Sequence, residues 1–325
     1  ISKDTFYYCD NVDMQSIPQD LNNIFDVTVI ARSSKIKRKR KINLKNIKIA
    51  KNIFSFLNLI LKTFKKNNVI YLIISITPYT FLSYVFLFFF RKKVFVYLRS
   101  NGYEEYKAIF GIIGPAIYHF MFKIVTSRSK VITCQERLFP LKKSNIVFPS
   151  ELNSQWFENL QKPSLNKIKL LYIGRIKVEK GIFSLLKILK DIKINFDLSI
   201  VGKVENFKYD NPKVNFIGHG YTAPDLIKIY DNHNIFILPS FTEAHPKVID
   251  ESLARMRPVI IFEDIKHIIQ NKKGIFVSKR NAASLEETIN FIIKNYNNIQ
   301  ESMNKNNLPT KKDFILNLGN VLNLS

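Results

Sequence analysis

Short apolar runs alternate with segments of helical periodicity along most of this chain, and no other feature limits its possible folds as strongly. In the second half many of these runs end at Gly or at Pro-Ser, which are turn residues. Apolar runs bounded by turns are typical of buried strands, and strands that alternate with helices predict a parallel sheet. We therefore expect a doubly wound α/β architecture. The predicted strands of this half are 170–173, 196–201, 214–217, 235–238, 259–262 and 274–277.

The chain length predicts two domains of this kind. A chain of 325 residues is long enough for two separate cores, and the same alternation occurs in residues 1–150. A polar segment that contains Pro163 separates the two halves. We place a Rossmann-like N-terminal domain at 1–163 and a Rossmann-like C-terminal domain at 164–305. A C-terminal helix at 306–325 is able to return to the N-terminal domain.

One uncharged stretch, 69–90, is long enough to span a bilayer. Its first part, 69–76, is rich in β-branched and aliphatic residues, however, and Pro78 interrupts the stretch. The remaining part, 79–90, suffices for about three helical turns. We therefore interpret the stretch as a buried strand, a turn and a buried helix. Further strands are predicted at 5–9, 25–31, 94–98, 131–134 and 145–148.

The formal net charge of +24 is distributed unevenly. Residues 1–150 contain 25 Lys and Arg against 8 Asp and Glu, and the segment 35–51 contains no acidic residue. Such an excess predicts attraction to polyanions or to an anionic membrane surface. Two interpretations of 35–51 remain open, a solvated loop and a patch that lies beside a membrane. Nucleic acid is disfavoured, because no aromatic residue interleaves the run and no nucleic-acid-binding motif accompanies it.

The two cysteines, Cys9 and Cys134, have no metal-ligand spacing. No disulfide framework is indicated either, so a reducing cytoplasm is favoured. The sequence therefore predicts no metal site and no cofactor that is held by cysteine.

Two cations follow the strand predicted at 170–173. Gly174 and Arg175 come directly after it, and Lys180 and Gly181 precede an apolar helix face. The carboxyl end of a strand in an open α/β sheet is where ligands bind, and a helix N-terminus favours an anion there. A diphosphate suits such a site. The alternative is an ordinary strand–turn–helix whose cations face water, and this stretch alone leaves both open.

A second group of charged residues lies in the segment FTEAHPKVIDESLARMR, 241–257. Glu243 follows the strand predicted at 235–238, Pro246 suits the first position of a helix, and Glu251 falls within that helix. Both glutamates are placed to face the crevice at the strand ends. The alternative is that Glu251 forms ordinary i, i+4 pairs with Lys247 and Arg255 on the helix surface.

Taken in order, these motifs resemble the C-terminal domain of the retaining glycosyltransferases of family 4. The resemblance covers roughly residues 168–295, and the segment PSEL at 149–152 resembles the turn that precedes the family's linker. It implies the GT-B fold, in which two Rossmann-like domains face each other across a cleft. The matching segments are YIGRIKVEKGIFSLLKIL, LSIVGKV, VNFIGHGY, IYDNHNIFILPSFTEAHPKVIDESLARMRPVII and KKGIFV.

The resemblance implies a role for each matching residue. Arg175 and Lys180, in the loop that begins with Gly174, would bind the diphosphate of a nucleotide-sugar donor and stabilise its charge as it leaves. Glu251 would accept hydrogen bonds from the ribose, and Glu243 would contact hydroxyls of the donor sugar. The backbone N–H groups of Lys247 and Val248 would also hold phosphate. Glu243, Arg175 and Lys180 are thus the implied catalytic residues.

The first half departs from the family pattern. Members often carry a glycine-rich loop after the first strand, whereas residues 1–101 contain no glycine. Members also often present a histidine near the end of a middle N-terminal strand. Here Arg99, Asn101 and Gly102 occupy that region, and we predict that they lie on the acceptor side.

The implied function is the transfer of a hexosyl or related group from a nucleotide-diphosphate sugar to a hydroxyl of a glycan or lipid-linked acceptor. Transfer would retain the anomeric configuration and need no metal, since the chain contains no D-x-D motif. The setting would be bacterial surface polysaccharide or lipopolysaccharide synthesis in the cytoplasm, at the inner face of the cell membrane. The alternatives are a basic nucleic-acid-binding protein and a donor-binding but inactive relative.

Overall fold

The computed structural model describes residues 1–3, 6–9, 12–38, 40–139, 144–203 and 209–323. The chain forms two compact units, here called the N-terminal unit (Ile1–Phe148 with Lys312–Ser325) and the C-terminal unit (Pro149–Lys311). The expectation of a two-domain α/β protein with parallel sheets is confirmed.

Within the described residues of the N-terminal unit, nine strands form three sheets. One sheet has four parallel strands in the order β6-β7-β8-β9, one has the parallel pair β3-β5, and one has three antiparallel strands in the order β1-β2-β4. The strands are β1 (Ser2–Lys3), β2 (Tyr7–Cys9), β3 (Val29–Arg32), β4 (Arg40–Ile42), β5 (Ile47–Ala50), β6 (Tyr71–Ile74), β7 (Val94–Leu98), β8 (Lys130–Thr133) and β9 (Ser144–Ile146). The helices are α1 (Val12–Leu21), α2 (Ile53–Leu61), α3 (Pro78–Phe89), α4 (Gly102–Phe110) and α5 (Gly114–Arg128).

The apolar stretch 69–90 forms the strand β6 and the helix α3, as the sequence predicts. The helix is not buried as predicted, however: Ser83, Tyr84 and Leu87 are buried, whereas Leu82, Phe88 and Phe89 on its outer face are exposed. Thr77 begins the helix with a capping box to Thr80, and Pro78 occupies its first turn, where the missing N–H of proline is no loss. Pro115 likewise lies in the first turn of α5, which is separated from α4 by a break at Gly111.

The first fifty residues differ from the predicted pattern. An antiparallel sheet formed by β1, β2 and β4, which are only two or three residues long, interrupts the expected run of parallel strands. The basic segment 35–51 supplies β4 and β5, so it is not simply a solvated loop. Thr5 of the predicted strand 5–9 and Lys39 of the basic segment lie outside the described residues.

The C-terminal unit is built on one six-stranded parallel sheet in the order β12-β11-β10-β13-β14-β15. Its central strands are buried along their whole length, because helices cover both faces of the sheet. The strands are β10 (Ile168–Ile173), β11 (Phe196–Val201), β12 (Val214–Gly218), β13 (Ile235–Leu238), β14 (Val259–Phe262) and β15 (Ile275–Ser278). The helices are α6 (Ile182–Ile188), α7 (Ala223–Asp231), α8 (Lys247–Ala254), α9 (Ala282–Lys294) and α10 (Tyr296–Met303).

The boundary between the units lies between Phe148 and Pro149, whereas the sequence places it after residue 163. The segment 149–163 looks like a polar linker, but Leu152 and Trp156 are buried in the core of the C-terminal unit. The guanidinium of Arg255 also donates a hydrogen bond of 3.1 Å to the backbone oxygen of Trp156. These contacts tie the segment to the C-terminal unit.

The last helix, α11 (Lys311–Asn323), belongs from Lys312 onward to the N-terminal unit. Phe314 packs there against Tyr97 of β7, with ring centroids 6.3 Å apart. The segment predicted at 306–325 to return to the N-terminal domain does so from residue 312, and Leu324 lies outside the described residues.

Candidate functional site

The C-terminal unit has a topological switch point between β10 and β13. Strand order runs outward from β10 through β11 to β12 on one side, and from β13 through β14 to β15 on the other. Register pairs Leu170 with Ile235 and Leu171 with Phe236, so the two strands end side by side. In an open parallel sheet the crevice beyond the carboxyl ends at such a point is the usual ligand site.

Gly174 follows β10 at a place where the backbone has no room for a side chain. A Cβ on Gly174 would meet Tyr172 Oη at 2.7 Å, and one on Gly202 would overlap the carbonyl oxygen of Gly174. Tyr172 Oη donates a hydrogen bond of 2.8 Å to the carbonyl oxygen of Arg175. The loop after β10 is thus held close to the end of β11.

Gly181 lies where the loop after β10 packs against the loop after β13. It has φ +68°, the left-handed region that favours glycine, and a Cβ there would overlap the carbonyl oxygen of Pro239. Phe241 N also donates to the carbonyl oxygen of Glu179 at 3.0 Å. The two loops therefore approach each other at backbone distance.

Lys180 and Glu243 form an ion pair in this crevice. Lys180 Nζ lies 2.6 Å from Glu243 Oε1, and Ser240 Oγ donates to the same oxygen at 2.7 Å. Both charged side chains are largely buried, with 19% and 10% of their surface exposed. The structure thus brings together two of the three predicted catalytic residues, and adds Ser240, which the sequence analysis did not select.

Arg175 differs from Lys180 in its surroundings. Its side chain is 65% exposed, and its Nη2 lies 3.8 Å from Glu179 Oε1, which is long for a hydrogen bond. The fold therefore does not fix the guanidinium, which remains able to move towards a ligand.

Glu251 is buried in α8, and Tyr230 Oη donates to its Oε2 at 3.1 Å. Burial raises the pKa of Glu251 to about 7, against the opposing effects of the Tyr230 hydrogen bond and the charge of Lys247. Tyr230 packs in turn against Trp156, with ring centroids 5.8 Å apart. A carboxylate that is held in this way lacks much of its solvation, so additional hydroxyl donors would stabilise its ionised form.

Glu251 does not lie on the exposed surface of α8 that the i, i+4 alternative assumes, because its side chain is buried and accepts from Tyr230. Lys247 Nζ lies 3.1 Å from Glu151 Oε1, and Arg255 Nη2 lies 2.7 Å from Asp231 Oδ2. The charge of Lys247 still acts on Glu251. Tyr230 could not be selected from sequence, because nothing in a helix pattern indicates which residue of α7 reaches a glutamate 21 positions later.

The start of α8 presents backbone N–H groups at the same end of the sheet. Pro246 is the N-cap residue, so the helix begins at Lys247, one residue later than predicted, and Val248 follows. The first N–H groups of a helix have no partner within it and favour an anion. Beside them, His245 Nε2 lies 3.1 Å from Asp250 Oδ2, and Lys272 Nζ lies 2.6 Å from Asp250 Oδ1.

The three residues predicted on the acceptor side have structural contacts in the N-terminal unit. Arg99 forms an ion pair with Asp13. The side chain of Asn101 accepts a hydrogen bond from Tyr103 N and caps α4. Gly102 is buried where a Cβ would overlap the ring of Tyr118. A role of these residues towards an acceptor stays a prediction.

Comparison with known proteins gives a family and a fold. The family model of glycosyl transferases group 1 matches residues 155–320. The capsular polysaccharide biosynthesis glycosyltransferase CapM of Staphylococcus aureus is 29% identical over 151 residues, which cover 42% of this chain and 39% of that protein. The chain spans between 31% and 58% of the length of the curated relatives that it matches.

Two solved structures show the same fold at low identity. Sucrose-phosphate synthase from Thermosynechococcus elongatus superposes with a TM-score of 0.67 at 17% identity, covering 95% of this chain and 92% of that chain. HepE of Anabaena, solved in complex with UDP and glucose, superposes with a TM-score of 0.64 at 12% identity, covering 86% of each chain. The expected GT-B fold is thereby confirmed. Since the family model covers just over half of the 325 residues, the chain belongs to the glycosyl transferases group 1 family.

Proposed function

We propose that the protein transfers a hexosyl or related group from a nucleotide-diphosphate sugar to a hydroxyl of a glycan or lipid-linked acceptor, with retention of the anomeric configuration. The observation that carries the proposal is the Lys180–Glu243 pair, which lies at the switch point of a sheet in a member of this family. The names of CapM, a capsular polysaccharide enzyme, and of HepE, solved with UDP and glucose, support this class of donor and product. We place the reaction in bacterial surface polysaccharide or lipopolysaccharide synthesis.

The donor diphosphate is bound by Lys180, by Arg175, and by the N–H groups of Lys247 and Val248. Lys180 is already held in place by Glu243, whereas Arg175 is exposed and closes onto the phosphate oxygens when the donor binds. Charge-assisted hydrogen bonds to phosphate are about twice as strong as neutral ones. Gly174 gives the loop between these cations its close approach to β11.

The two glutamates bind the hydroxyl groups of the donor. Glu251 accepts hydrogen bonds from the ribose, which stabilise a carboxylate that the fold leaves poorly solvated. Glu243 binds hydroxyls of the sugar through Oε2, the oxygen that accepts neither from Lys180 nor from Ser240. This arrangement fixes the sugar relative to the diphosphate.

In the reaction, the bond between the anomeric carbon and the diphosphate oxygen breaks while the acceptor oxygen bonds to the same carbon from the same face. The bonding electrons stay on the departing diphosphate oxygen, and that oxygen takes the proton of the acceptor hydroxyl. Lys180 and Arg175 stabilise the negative charge that develops there, which is preorganised electrostatic stabilisation. The two cations supply this charge without a metal ion in our proposal.

We also propose that the protein works at the inner face of the cell membrane. Residues 1–150 contain 25 Lys and Arg against 8 Asp and Glu, a balance that favours contact with anionic lipid. A lipid-linked acceptor would be available at that surface.

A panel of UDP-, GDP- and ADP-sugars tests the proposal by thermal unfolding. A donor at 100 times its Kd adds about 2.7 kcal/mol to the free energy of unfolding, so the correct nucleotide raises the Tm. Lys180→Met should abolish the shift, whereas Lys177→Met, an exposed neighbour, should leave it intact. No shift with any nucleotide would contradict the proposal. A shift without turnover on acceptor glycans would favour an inactive relative, and salt-dependent binding to DNA or RNA without a shift would favour a nucleic-acid-binding protein.

A further inference from the structure

Helices α4 and α5 of the N-terminal unit form an antiparallel hairpin. Two close approaches define it: a Cβ on Gly102 would overlap the ring of Tyr118, and one on Gly114 would overlap the carbonyl oxygen of Tyr106. Residue 102 thus lies beside residue 118, and residue 106 beside residue 114. Gly111, with φ +64°, breaks the helix between them. The segment 107–113 is therefore the tip of the hairpin.

The tip exposes large apolar side chains that the protein itself does not cover. Ile112 is 93% exposed, and Ile109, Phe110 and Ile113 are each at least 48% exposed. About two turns further along α5, Phe120 is 62% exposed. A contiguous exposed apolar surface of this kind marks a docking site.

The outer face of α3 continues this surface. Phe81 of α3 packs against Phe120 with ring centroids 6.0 Å apart. Its neighbour Leu82 and, seven residues later on the same helical face, Phe89 are both exposed. The tip, the outer face of α5 and that of α3 are together called the apolar surface below.

The helical run Gly102–Arg128 contains a stretch that is long and apolar enough to cross a membrane, yet only 22% of that stretch is buried within the protein. A core helix of the same composition would be mostly buried. The break at Gly111 and the tight packing of α4 on α5 show that the run is folded back on itself, which suits contact with one leaflet and not a crossing.

Cations lie around the apolar surface. Lys107 is at the tip, and Lys123 is exposed one turn beyond Phe120. The acidic residues of the hairpin, Glu104 and Glu105, lie in the first turn of α4, towards its base. Apolar side chains bordered by Lys and Arg are typical of elements that insert into the headgroup region of an anionic bilayer. The positive balance of residues 1–150 disfavours a second copy of the chain as the occupant.

We infer that the hairpin tip, residues 107–113, inserts into one leaflet of an anionic bilayer, with the outer faces of α3 and α5 lying along the lipid surface. This inference rests on the proposed function only in that a lipid-linked acceptor gives the contact its purpose. The occupant of the apolar surface is lipid, held by apolar insertion and by the flanking lysines.

Cosedimentation of the full chain with vesicles tests the inference. The wild type should bind vesicles of phosphatidylcholine mixed with phosphatidylglycerol. The pair Ile112→Asp and Ile113→Asp should weaken this binding at least tenfold. The control pair Phe291→Asp and Leu316→Asp adds the same charge at positions that are 53% and 46% exposed and outside the hairpin, and it should reduce binding less than threefold. Hydrogen exchange should show vesicle-dependent protection of residues 107–113.

An equal loss of vesicle binding in the two pairs of variants, or no protection of the tip from hydrogen exchange, would overturn the inference. A wild type that is dimeric without lipid, and monomeric after the tip substitutions, would assign the surface to a second copy instead. Donor-induced thermal shifts are measured in the same variants. Vesicle binding that fails while the donor shift persists refutes the insertion alone, and a missing donor shift with normal vesicle binding refutes the proposed function alone.

Discussion

Arg255 holds Asp231 through two parallel hydrogen bonds, from Nε to Oδ1 at 2.9 Å and from Nη2 to Oδ2 at 2.7 Å. The same guanidinium donates to the backbone oxygens of Trp156, Glu158 and Asn159. The side chain of Arg255, at the end of α8, therefore joins α7 to the segment 149–163 of the C-terminal unit.

Replacement of this arginine should be among the most destabilising single changes in the chain. We expect Arg255→Met to lower the free energy of unfolding by about 3–5 kcal/mol, because it leaves a carboxylate and three carbonyl groups without their donor. Arg175→Met, at an exposed position, is the control and should change stability by less than about 0.5 kcal/mol. Chemical denaturation measures both, and similar stabilities would contradict the assigned anchoring role.

The Lys180–Glu243 pair should show energetic coupling in the absence of donor. Because both side chains are largely buried, Lys180→Met leaves Glu243 with an uncompensated charge, and Glu243→Gln should relieve much of that loss. A double-mutant cycle on the free energy of unfolding should give a coupling of about 0.5–3 kcal/mol. Additive effects of the two changes would mean that the pair is not formed in solution.

Arg175→Ala should weaken donor use by about 10- to 100-fold, since a charge-assisted hydrogen bond is worth about 1.5–3 kcal/mol. Its Tm without donor should stay that of the wild type, because the side chain is 65% exposed. Initial rates and calorimetric donor affinity provide the measurement. Lys177→Ala, two residues away and also exposed, is the matched control; an equal effect there would indicate general attraction by charge.

Stability should fall as the pH rises through the titration of Glu251. Its pKa is raised to about 7 from 4.5, so the folded state binds this proton more tightly than the unfolded state does. Below about pH 4.5, Glu251 contributes on the order of 3 kcal/mol to the free energy of unfolding. This contribution is lost as the pH rises to about 7. The difference in unfolding free energy between wild type and Glu251→Gln isolates this group. A difference that does not vary between pH 5 and about 8 would refute the burial effect.

Gly181→Ala should destabilise the fold much more than Gly220→Ala. Both glycines have positive φ, +68° and +89°, but a Cβ on Gly181 overlaps the carbonyl oxygen of Pro239. Among the described residues, apart from its two chain neighbours, no atom lies within 4 Å of a Cβ on Gly220. We expect about 1–2 kcal/mol for Gly220→Ala from backbone strain. The loss for Gly181→Ala should be at least about 3 kcal/mol. Equal losses would show that the two loops are not in backbone contact.

The sheet of the C-terminal unit could be predicted closely from sequence because its strands are short, apolar and bounded by turn residues. Strands β11, β13 and β14 begin and end at the predicted residues. The three short strands β1, β2 and β4 have too few residues for a periodicity, so the antiparallel sheet could not be foreseen.

Individual residues of the candidate site could be predicted from sequence, but the contacts between them could not. Gly174, Lys180 and Glu243 can be chosen from sequence because each lies between a predicted strand and a predicted helix, and Glu251 because it lies within the helix after Glu243. Their partners come from distant positions: Lys180 and Glu243 are 63 residues apart, and only the strand order places their loops together. The domain boundary predicted after residue 163 differs from the structure for a related reason. Arg255 binds the segment 149–163 through backbone oxygens, and residue types do not indicate such contacts.

The packing of Trp156 on Tyr230 has a spectroscopic consequence. Trp156 is the only tryptophan of the chain, and Tyr230 donates a hydrogen bond to Glu251, so the indole lies one aromatic ring away from the proposed ribose site. Intrinsic fluorescence excited at the indole band therefore comes from the C-terminal unit alone. Its emission maximum follows the unfolding of that unit without a signal from the other.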